Sequence, residues 1–339
     1  MKKYNVAILG ATGMVGHELL KILDQRNFPI EKLKLTASER TSGSKINFRG
    51  KEYEVELATP EAFKGYEIVL SSAGASVSRA LAPDIVKNGS VIIDNTSEFR
   101  MRDDVPLVVP EINAHALKEH NGIIANPNCS TIQLVMALKP MHDYMPLKRV
   151  LVSTYQSVSG AGKEAIEEMN EQAKNRLEGN YVKPEKTILP QPIAFNVIPH
   201  GGSFLDNGYT EEEIKITNET RKIMELPNLA IAGTSVRVPV VIGHSETVNV
   251  EFENKVDLAK IREVLANFEG VIVQDDPSKF EYAMPIDIAG KDEVFVSRIR
   301  EDLSHPNAIN MWVVADNIRK GAALNAIQIA EKMISMGLI

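Results

Sequence analysis

Four consecutive apolar residues, Val6, Ala7, Ile8 and Leu9, stop at Gly10, and beyond it the apolar positions change period, with Val15, Leu19, Leu20, Ile22 and Leu23 at helical spacing. The pattern predicts a strand, a glycine turn and a helix. Short apolar runs recur at 33–37, 68–70, 91–93, 107–109 and 123–125, with helix-compatible stretches between several of them. Such alternation predicts a mostly parallel sheet covered by helices on both faces.

After about residue 148 the texture changes. Runs at 150–155, 235–238, 247–252, 271–273, 294–299 and 309–314 are rich in β-formers, and several alternate apolar with polar, which predicts a sheet wetted on one face. Amphipathic helices are expected at 164–177, 211–224 and 257–268, making this half α+β with a mixed sheet. The tail, 317–336, reads as a closing helix interrupted only by Gly321, and the segment 181–192, with three prolines, as an ordered loop. The fold class is thus α/β: a Rossmann-type domain over 1–128, an α+β domain over 129–316, and a C-terminal helix, 317–339, packing back on the first.

Composition narrows the function classes. The 339 residues carry 38 Lys and Arg against 45 Asp and Glu, a net charge of −7, and no basic run, so a nucleic-acid footprint is missing. No apolar stretch approaches the roughly 20 residues of a spanning helix, and the chain start lacks a signal-peptide core, so a soluble cytoplasmic protein is expected, with no membrane partner. A single cysteine, Cys129, forms no intrachain disulfide and no cysteine-based zinc cluster; none of the seven histidines falls in a metal-binding pattern.

Gly10-Ala11-Thr12-Gly13-Met14-Val15-Gly16 joins the first strand to the first helix, the context a dinucleotide-binding turn requires. Glycines let the backbone approach a pyrophosphate, whose charge is met by N–H groups and the positive end of the helix dipole. After the second strand, Ser38, Arg40 and Thr41 offer donors and positive charge to a 2′-phosphate, which favours NADP over NAD, with Glu39 facing solvent. Cys129 lies between an apolar run and a helical pattern, at a strand-to-helix junction. A helix start stabilises a thiolate and supplies N–H donors to an oxyanion beside it. His244 sits in a reversal between two β segments, and Arg237 interrupts a strand, where a charged side chain needs a partner or a ligand such as a carboxylate.

Together these segments resemble the aspartate-β-semialdehyde dehydrogenase family. The resemblance is carried by the glycine turn, by 94–100 (Asp-Asn-Thr-Ser-Glu-Phe-Arg), 126–131 (Asn-Pro-Asn-Cys-Ser-Thr), 156–162 (Gln-Ser-Val-Ser-Gly-Ala-Gly) and 219–222 (Glu-Thr-Arg-Lys), and by Arg237 with His244, all in family order. It implies NADPH-dependent reduction of β-aspartyl phosphate to aspartate semialdehyde and phosphate, through a cysteine acyl-thioester, on the way to lysine, methionine and threonine. It also implies a homodimer. Carried over by position, Cys129 is the nucleophile, His244 the acid/base and Gln156 the residue that orients substrate. Arg237 would hold the α-carboxylate and Glu219 the α-ammonium; Arg100 and Lys222 would take the phosphate, Lys215 being a rival for Lys222, and Asn95 would also bind substrate. Cofactor contacts would come from Gly10, Thr12, Gly13, Met14, Val15, Ser38, Arg40, Thr41, Ser159, Gly160 and, from the tail, Asn317 ahead of Asn325 or Gln328. Two other readings compete: a related acyl-phosphate reductase, such as N-acetyl-glutamyl-phosphate reductase, and a non-catalytic dinucleotide sensor in which Cys129 only packs.

Overall fold

The computed structural model describes residues 2–183 and 187–339, so residues 184–186 of the proline-bearing loop at 181–192 lie outside the described residues. The chain divides into two compact units, Met1–Asn128 with Ala322–Ile339, and Cys129–Gly321. The return to the first unit therefore comes at Ala322 rather than at 317.

In the first unit the chain runs through β1 (Tyr4–Leu9), α1 (Met14–Gln25), β2 (Ile30–Ala37), β3 (Lys45–Phe48), β4 (Lys51–Leu57), β5 (Ile68–Ser71), α2 (Ala75–Lys87), β6 (Val91–Asp94), the short α3 (Pro110–Asn113) and β7 (Ile123–Ala125). The seven strands lie in the order β3-β4-β2-β1-β5-β6-β7, all neighbours parallel except the β3–β4 hairpin. Successive strands are added on opposite sides of β1, so the strand order reverses there, the place where open α/β sheets bind ligands. The buried faces of β1, β2 and β5 share one core with α1 and with the C-terminal helix Leu324–Ser335.

Two features depart from the sequence pattern. Residues 107–109 were expected as a strand, but only Leu107 makes a bridge, to Ala125. Pro106 has no N–H for a ladder and Pro110 opens α3, which leaves no room for further pairing. The β3–β4 hairpin escaped the apolar pattern because charged and polar residues break up its strands, leaving no continuous apolar run. Its signal is Arg49-Gly50, both at positive φ (50° and 75°), the conformation of a tight two-residue hairpin turn.

The second unit contains α4 (Cys129–Tyr144), β8 (Leu147–Gln156), α5 (Lys163–Leu177), α6 (Glu211–Met224), β9 (Ala230–Arg237), β10 (His244–Phe252), α7 (Leu258–Ala266), β11 (Val271–Val273), β12 (Asp275–Asp276), β13 (Glu281–Tyr282), α8 (Pro285–Ile288), β14 (Val294–Glu301) and β15 (Ala308–Ala315). Its main sheet is mixed as expected, in the order β11-β14-β15-β10-β8-β9. Helices α4 and α6 pack on one face, and α4 is buried from Ser130 to Leu138, where its middle is a run of apolar residues. α6 begins with a full capping box: Thr210 accepts from the Glu213 N–H, and Glu213 accepts from the Thr210 N–H at 2.7 Å. The other Glu213 oxygen accepts from the Ser235 N–H at 2.9 Å, which fixes the start of α6 against β9. Between β15 and the C-terminal helix, Arg319–Ala323 forms a wide π-turn, so the closing helix is broken where Gly321 interrupts its pattern.

Candidate active site

Strand pairing assembles the site. The β8–β9 register sets Gln156 beside Arg237, and the β10–β8 register, which pairs Ser245 with Tyr155, brings His244 to the same level. Arg237, Gln156 and His244 thus form one row across three strands, although up to 88 residues of chain separate them. Cys129 opens α4 above this row, at the positive end of the helix dipole, and is partly exposed. Gln156 Nε2 donates to Ser130 Oγ at 3.0 Å and to Glu212 Oε1 at 3.2 Å, linking the first turns of α4 and α6.

Ser157 holds two members of the row through its backbone. Its carbonyl accepts from Arg237 Nη1 at 2.7 Å, and its N–H donates to His244 Nδ1 at 3.0 Å. The second contact assigns the tautomer: with Nδ1 accepting, the neutral imidazole carries its proton on Nε2. That nitrogen is buried and has no hydrogen-bond partner among the described residues. Complete burial, reinforced by the Arg237 charge, holds His244 well below the usual histidine range, so the ring is neutral at physiological pH and presents an N–H to the site. Burial also lowers Arg237, while Cys129 and Glu212 act on it electrostatically in the opposite sense.

Two glycines make the close approach possible. A Cβ on Gly160 would stand 2.8 Å from Arg237 Nη1 and 3.3 Å from His244 Nε2, so Gly160 forms the wall against which both side chains lie. A Cβ on Gly321 would stand 2.9 Å from Cys129 Cβ. The π-turn therefore presses glycine backbone onto the cysteine. Gly321→Ala is expected to displace the sulfur and lower kcat by about 10²-fold, the usual cost of misplacing a reacting atom by about 1 Å. Dinucleotide binding should be unchanged; parental kcat in Gly321→Ala would show that this contact does not position Cys129.

The acidic and basic residues of α6 require a correction. Glu219 and Lys222 lie about 10 Å further along the helix than Glu212 and Lys215. It is Glu212 that meets Gln156, and Lys215 Nζ is 3.6 Å from Glu212. Glu219 is buried and Lys222 half-buried. The sequence repeats Glu-x-x-Lys at an interval of seven, which returns to the same helix face, so spacing alone could not choose between the copies. Glu212 was missed for that reason. Gly321 was missed because its role depends on contact with a residue 192 positions away.

Asn317 is 3% exposed, and its side chain is engaged within the second unit: Oδ1 accepts from Gly243 N–H at 2.9 Å and from Ser157 Oγ at 3.0 Å, while Nδ2 donates to Ser159 Oγ at 3.0 Å. Asn317 and Ser159 thereby brace the loops on either side of His244.

In the first unit, Asn95 and Arg100 follow β6. Arg100 is buried, with Nε on the Asn126 carbonyl at 2.9 Å and Nη2 on the Asn95 carbonyl at 2.7 Å. Asn95 Oδ1 accepts from Asn126 Nδ2 at 2.8 Å, and Asn126 Oδ1 from Asn325 Nδ2 at 2.7 Å. Gln328 donates to Glu111 at 2.9 Å. The glycine turn fits a dinucleotide. Gly10 is at φ 89°, and a Cβ on Gly16 would clash with the Gly10 carbonyl at 2.3 Å, so both glycines are needed by the turn itself. A Cβ on Gly13 would meet nothing closer than 3.5 Å, and no side chain caps α1, which leaves the helix start around Met14 and Val15 without a built-in anion. Thr12 and Thr41 hydroxyls are 2.9 Å apart and tie the turn to the loop after β2, where Ser38, Glu39 and Arg40 are exposed.

Among the described residues no cluster of histidine, cysteine or carboxylate side chains could hold a metal, and no helix is long and apolar enough to cross a membrane. The family model for the semialdehyde dehydrogenase NAD binding domain matches residues 5–120, and that for the semialdehyde dehydrogenase dimerisation domain matches 138–320. Over 99% of both sequences, the chain is 53% identical to an aspartate-semialdehyde dehydrogenase of Aquifex aeolicus (strain VF5) and 50% identical to that of Bacillus subtilis (strain 168). Among solved structures it is similar to aspartate semialdehyde dehydrogenase II of Vibrio cholerae complexed with ASA, at 45% identity and a TM-score of 0.95, covering 99% of each chain.

Proposed function

The chain belongs to the aspartate-semialdehyde dehydrogenase family and carries its oxidoreductase activity, and from that premise we propose that it reduces β-aspartyl phosphate to aspartate semialdehyde and phosphate through a thioester on Cys129. The observation that carries the reading is the partly exposed sulfur at the start of α4, within electrostatic reach of Arg237 and above a neutral, N–H-bearing His244.

A carboxylate carbon is too electron-rich to accept hydride, so the acyl group must first become a better electrophile. The Cys129 thiolate, favoured by the helix dipole and the guanidinium, attacks the acyl phosphate; the tetrahedral oxyanion collapses, and phosphate leaves with the thioester formed. His244 Nε2–H is the donor placed to meet oxyanion charge, and general acid help of this kind is worth about 10²–10⁴ in rate. When bound, the nicotinamide cofactor supplies the hydride that converts the thioester to the aldehyde level. Cys129 then departs as thiolate, the state in which it began. Arg237 is proposed to bind the α-carboxylate. Glu212 replaces Glu219 as the proposed acceptor for the α-ammonium, and Lys215 replaces Lys222 as the cation nearest the phosphate, with Arg100 and Asn95 remaining candidates there.

Glu212 also bears on substrate choice, because an acetylated amine carries no charge and gains little from a carboxylate. Rates on β-aspartyl phosphate should greatly exceed those on N-acetyl-glutamyl phosphate; similar kcat/KM on both would undo the assignment. For the dinucleotide we propose NADPH, held at Gly10, Thr12, Gly13, Met14 and Val15, with its 2′-phosphate near Ser38, Arg40 and Thr41. Ser159, Gly160 and Asn317 remain proposed cofactor contacts. Titration should give tighter binding of NADPH than NADH, and Arg40→Ala should weaken NADPH alone by about 10- to 100-fold, the worth of a charged hydrogen bond. Equal affinities in the parent protein would exclude this selectivity. The match to a dimerisation domain supports a homodimer formed through the second unit.

A further inference from the structure

Beneath the catalytic row lies a second polar row that this mechanism does not use. The registers pair Ser235 with Thr154 and Thr154 with Glu246. These side chains share a face with Arg237, Gln156 and His244, two residues and about 7 Å along the strands. Gln133, one turn after Cys129 on α4, is the polar group that faces Glu246. All four are at most 1% exposed.

Among the described residues, neither the Thr154 nor the Ser235 hydroxyl has a hydrogen-bond partner, and the Glu246 carboxyl and the Gln133 amide make no well-formed hydrogen bond, although Gln133 is near enough to act on the Glu246 carboxyl. Burying polar groups without full hydrogen bonding is costly, so four such side chains together are not a random packing choice. The next level down the strands, Gly233, Val152 and Val248, is ordinary apolar core, and apolar residues would have fitted one level higher as well.

We propose that Glu246 is an uncharged carboxylic acid and a positioning residue, which through Gln133 and internal water seats the first turn of α4 over the catalytic row. The geometry requires neutrality because Glu246 is wholly buried and makes no ion pair with any described cation. The groups facing it are Gln133 from α4, Thr154 from β8, Val313 from β15 and, along its own strand, His244 and Val248. His244 is held neutral and the others are uncharged. Burial pushes the Glu246 carboxyl well above the usual carboxylate range, in the same direction. A protonated carboxyl has one donor and remaining acceptor capacity, which matches the donor and acceptor of the Gln133 amide directly or through one water. An anion here would draw a proton onto His244 Nδ1, which would remove the acceptor that the Ser157 N–H uses and put a positive charge on the ring.

The inference rests on the thioester reading of the site, so its test includes a readout that needs no substrate: the pH dependence of Cys129 alkylation by iodoacetamide, measured beside turnover and NADPH affinity. Glu246→Gln is isosteric and always neutral; it should stay within about twofold of parental kcat, with the alkylation midpoint unmoved. The exchange Gln133→Glu with Glu246→Gln should preserve the same profile, since it keeps one acid and one amide. Glu246→Leu should lower kcat by about tenfold or more and shift the alkylation profile while NADPH affinity holds, the signature of a misplaced nucleophile. A tenfold loss or a shifted midpoint in Glu246→Gln overturns the proposal, because the anion would then be needed. Parental behaviour of Glu246→Leu also overturns it. If that variant does not fold, the exchange decides, and a shifted alkylation midpoint in it counts against Glu246. If the parent protein never turns over β-aspartyl phosphate while the alkylation midpoint holds in Glu246→Gln and in the exchange and shifts in Glu246→Leu, the substrate assignment is rejected and this inference stands.

Discussion

Mixed with β-aspartyl phosphate in the absence of reduced cofactor, the protein is expected to acquire an aspartyl group on Cys129, visible as a mass increase that peptide mapping places on that residue. Cys129→Ala should show no adduct and lose about 10⁴- to 10⁶-fold in turnover, the scale on which removal of a covalent nucleophile is felt. The sulfur sits at the positive end of a 16-residue helix, Arg237 lies within electrostatic reach, and the thiol is partly exposed. A cysteine retained only for packing would be enclosed by aliphatic side chains, whereas Cys129 is partly exposed and has Gly321, a residue with no side chain, close against it. An unmodified parent protein, or equal labelling of Cys129→Ala, would favour the sensor reading and remove the thioester from the mechanism.

Replacing Arg237 should give the second largest effect. Arg237→Leu is expected to lower kcat/KM for β-aspartyl phosphate by about 10²- to 10³-fold, as loss of a buried charged hydrogen-bonding group does, while NADPH affinity stays within about twofold. Arg237→Lys should fall between, because it keeps the charge and loses the planar fork that grips a carboxylate. A pH signature accompanies the loss. Arg237 helps hold His244 below its ordinary value, so its removal leaves only burial acting downward, and an acid limb governed by His244 should move to higher pH. Equal loss of substrate use and of NADPH binding would make Arg237 a structural residue, braced on the Ser157 carbonyl.

Glu246 and His244 show how one strand treats two titratable groups. Both are fully buried, and burial drives their pKa values in opposite directions, toward the same neutral outcome. This suits a site whose substrate brings its own charges: Arg237 and Glu212 can meet the carboxylate and ammonium without a further buried charge competing for them.

Much of this was legible along the chain because it is local. The glycine turn declares itself through a change of period at Gly10, and the alternating strands of the second half follow from residues two apart sharing a face. Cys129 is marked by lying between an apolar run and a helical pattern. Arg237 stands out as a charge interrupting an apolar strand pattern, and His244 as an imidazole at a reversal between two β segments; the structure places them at the end of β9 and the start of β10. Where local patterns have two solutions, the reading failed: the two Glu-x-x-Lys pairs on α6 differ only in which end of the helix meets Gln156, and 107–109 looks like a strand until its flanking prolines are counted against a ladder.

What the amino-acid order determined by itself is most of the elements, the glycine turn and the place of Cys129 at a strand-to-helix junction, since each depends on residues within a turn or two of one another. The tertiary structure alone decided that Arg237, Gln156 and His244 share a level, that Glu212 rather than Glu219 reaches them, that Gly321 abuts Cys129, and that Glu246 lies buried one level down. Those relations are fixed by strand register and by packing between segments up to 192 residues apart, and a shift of one residue in pairing would turn the shifted strand's member of the row, Arg237, Gln156 or His244, to the opposite face of the sheet.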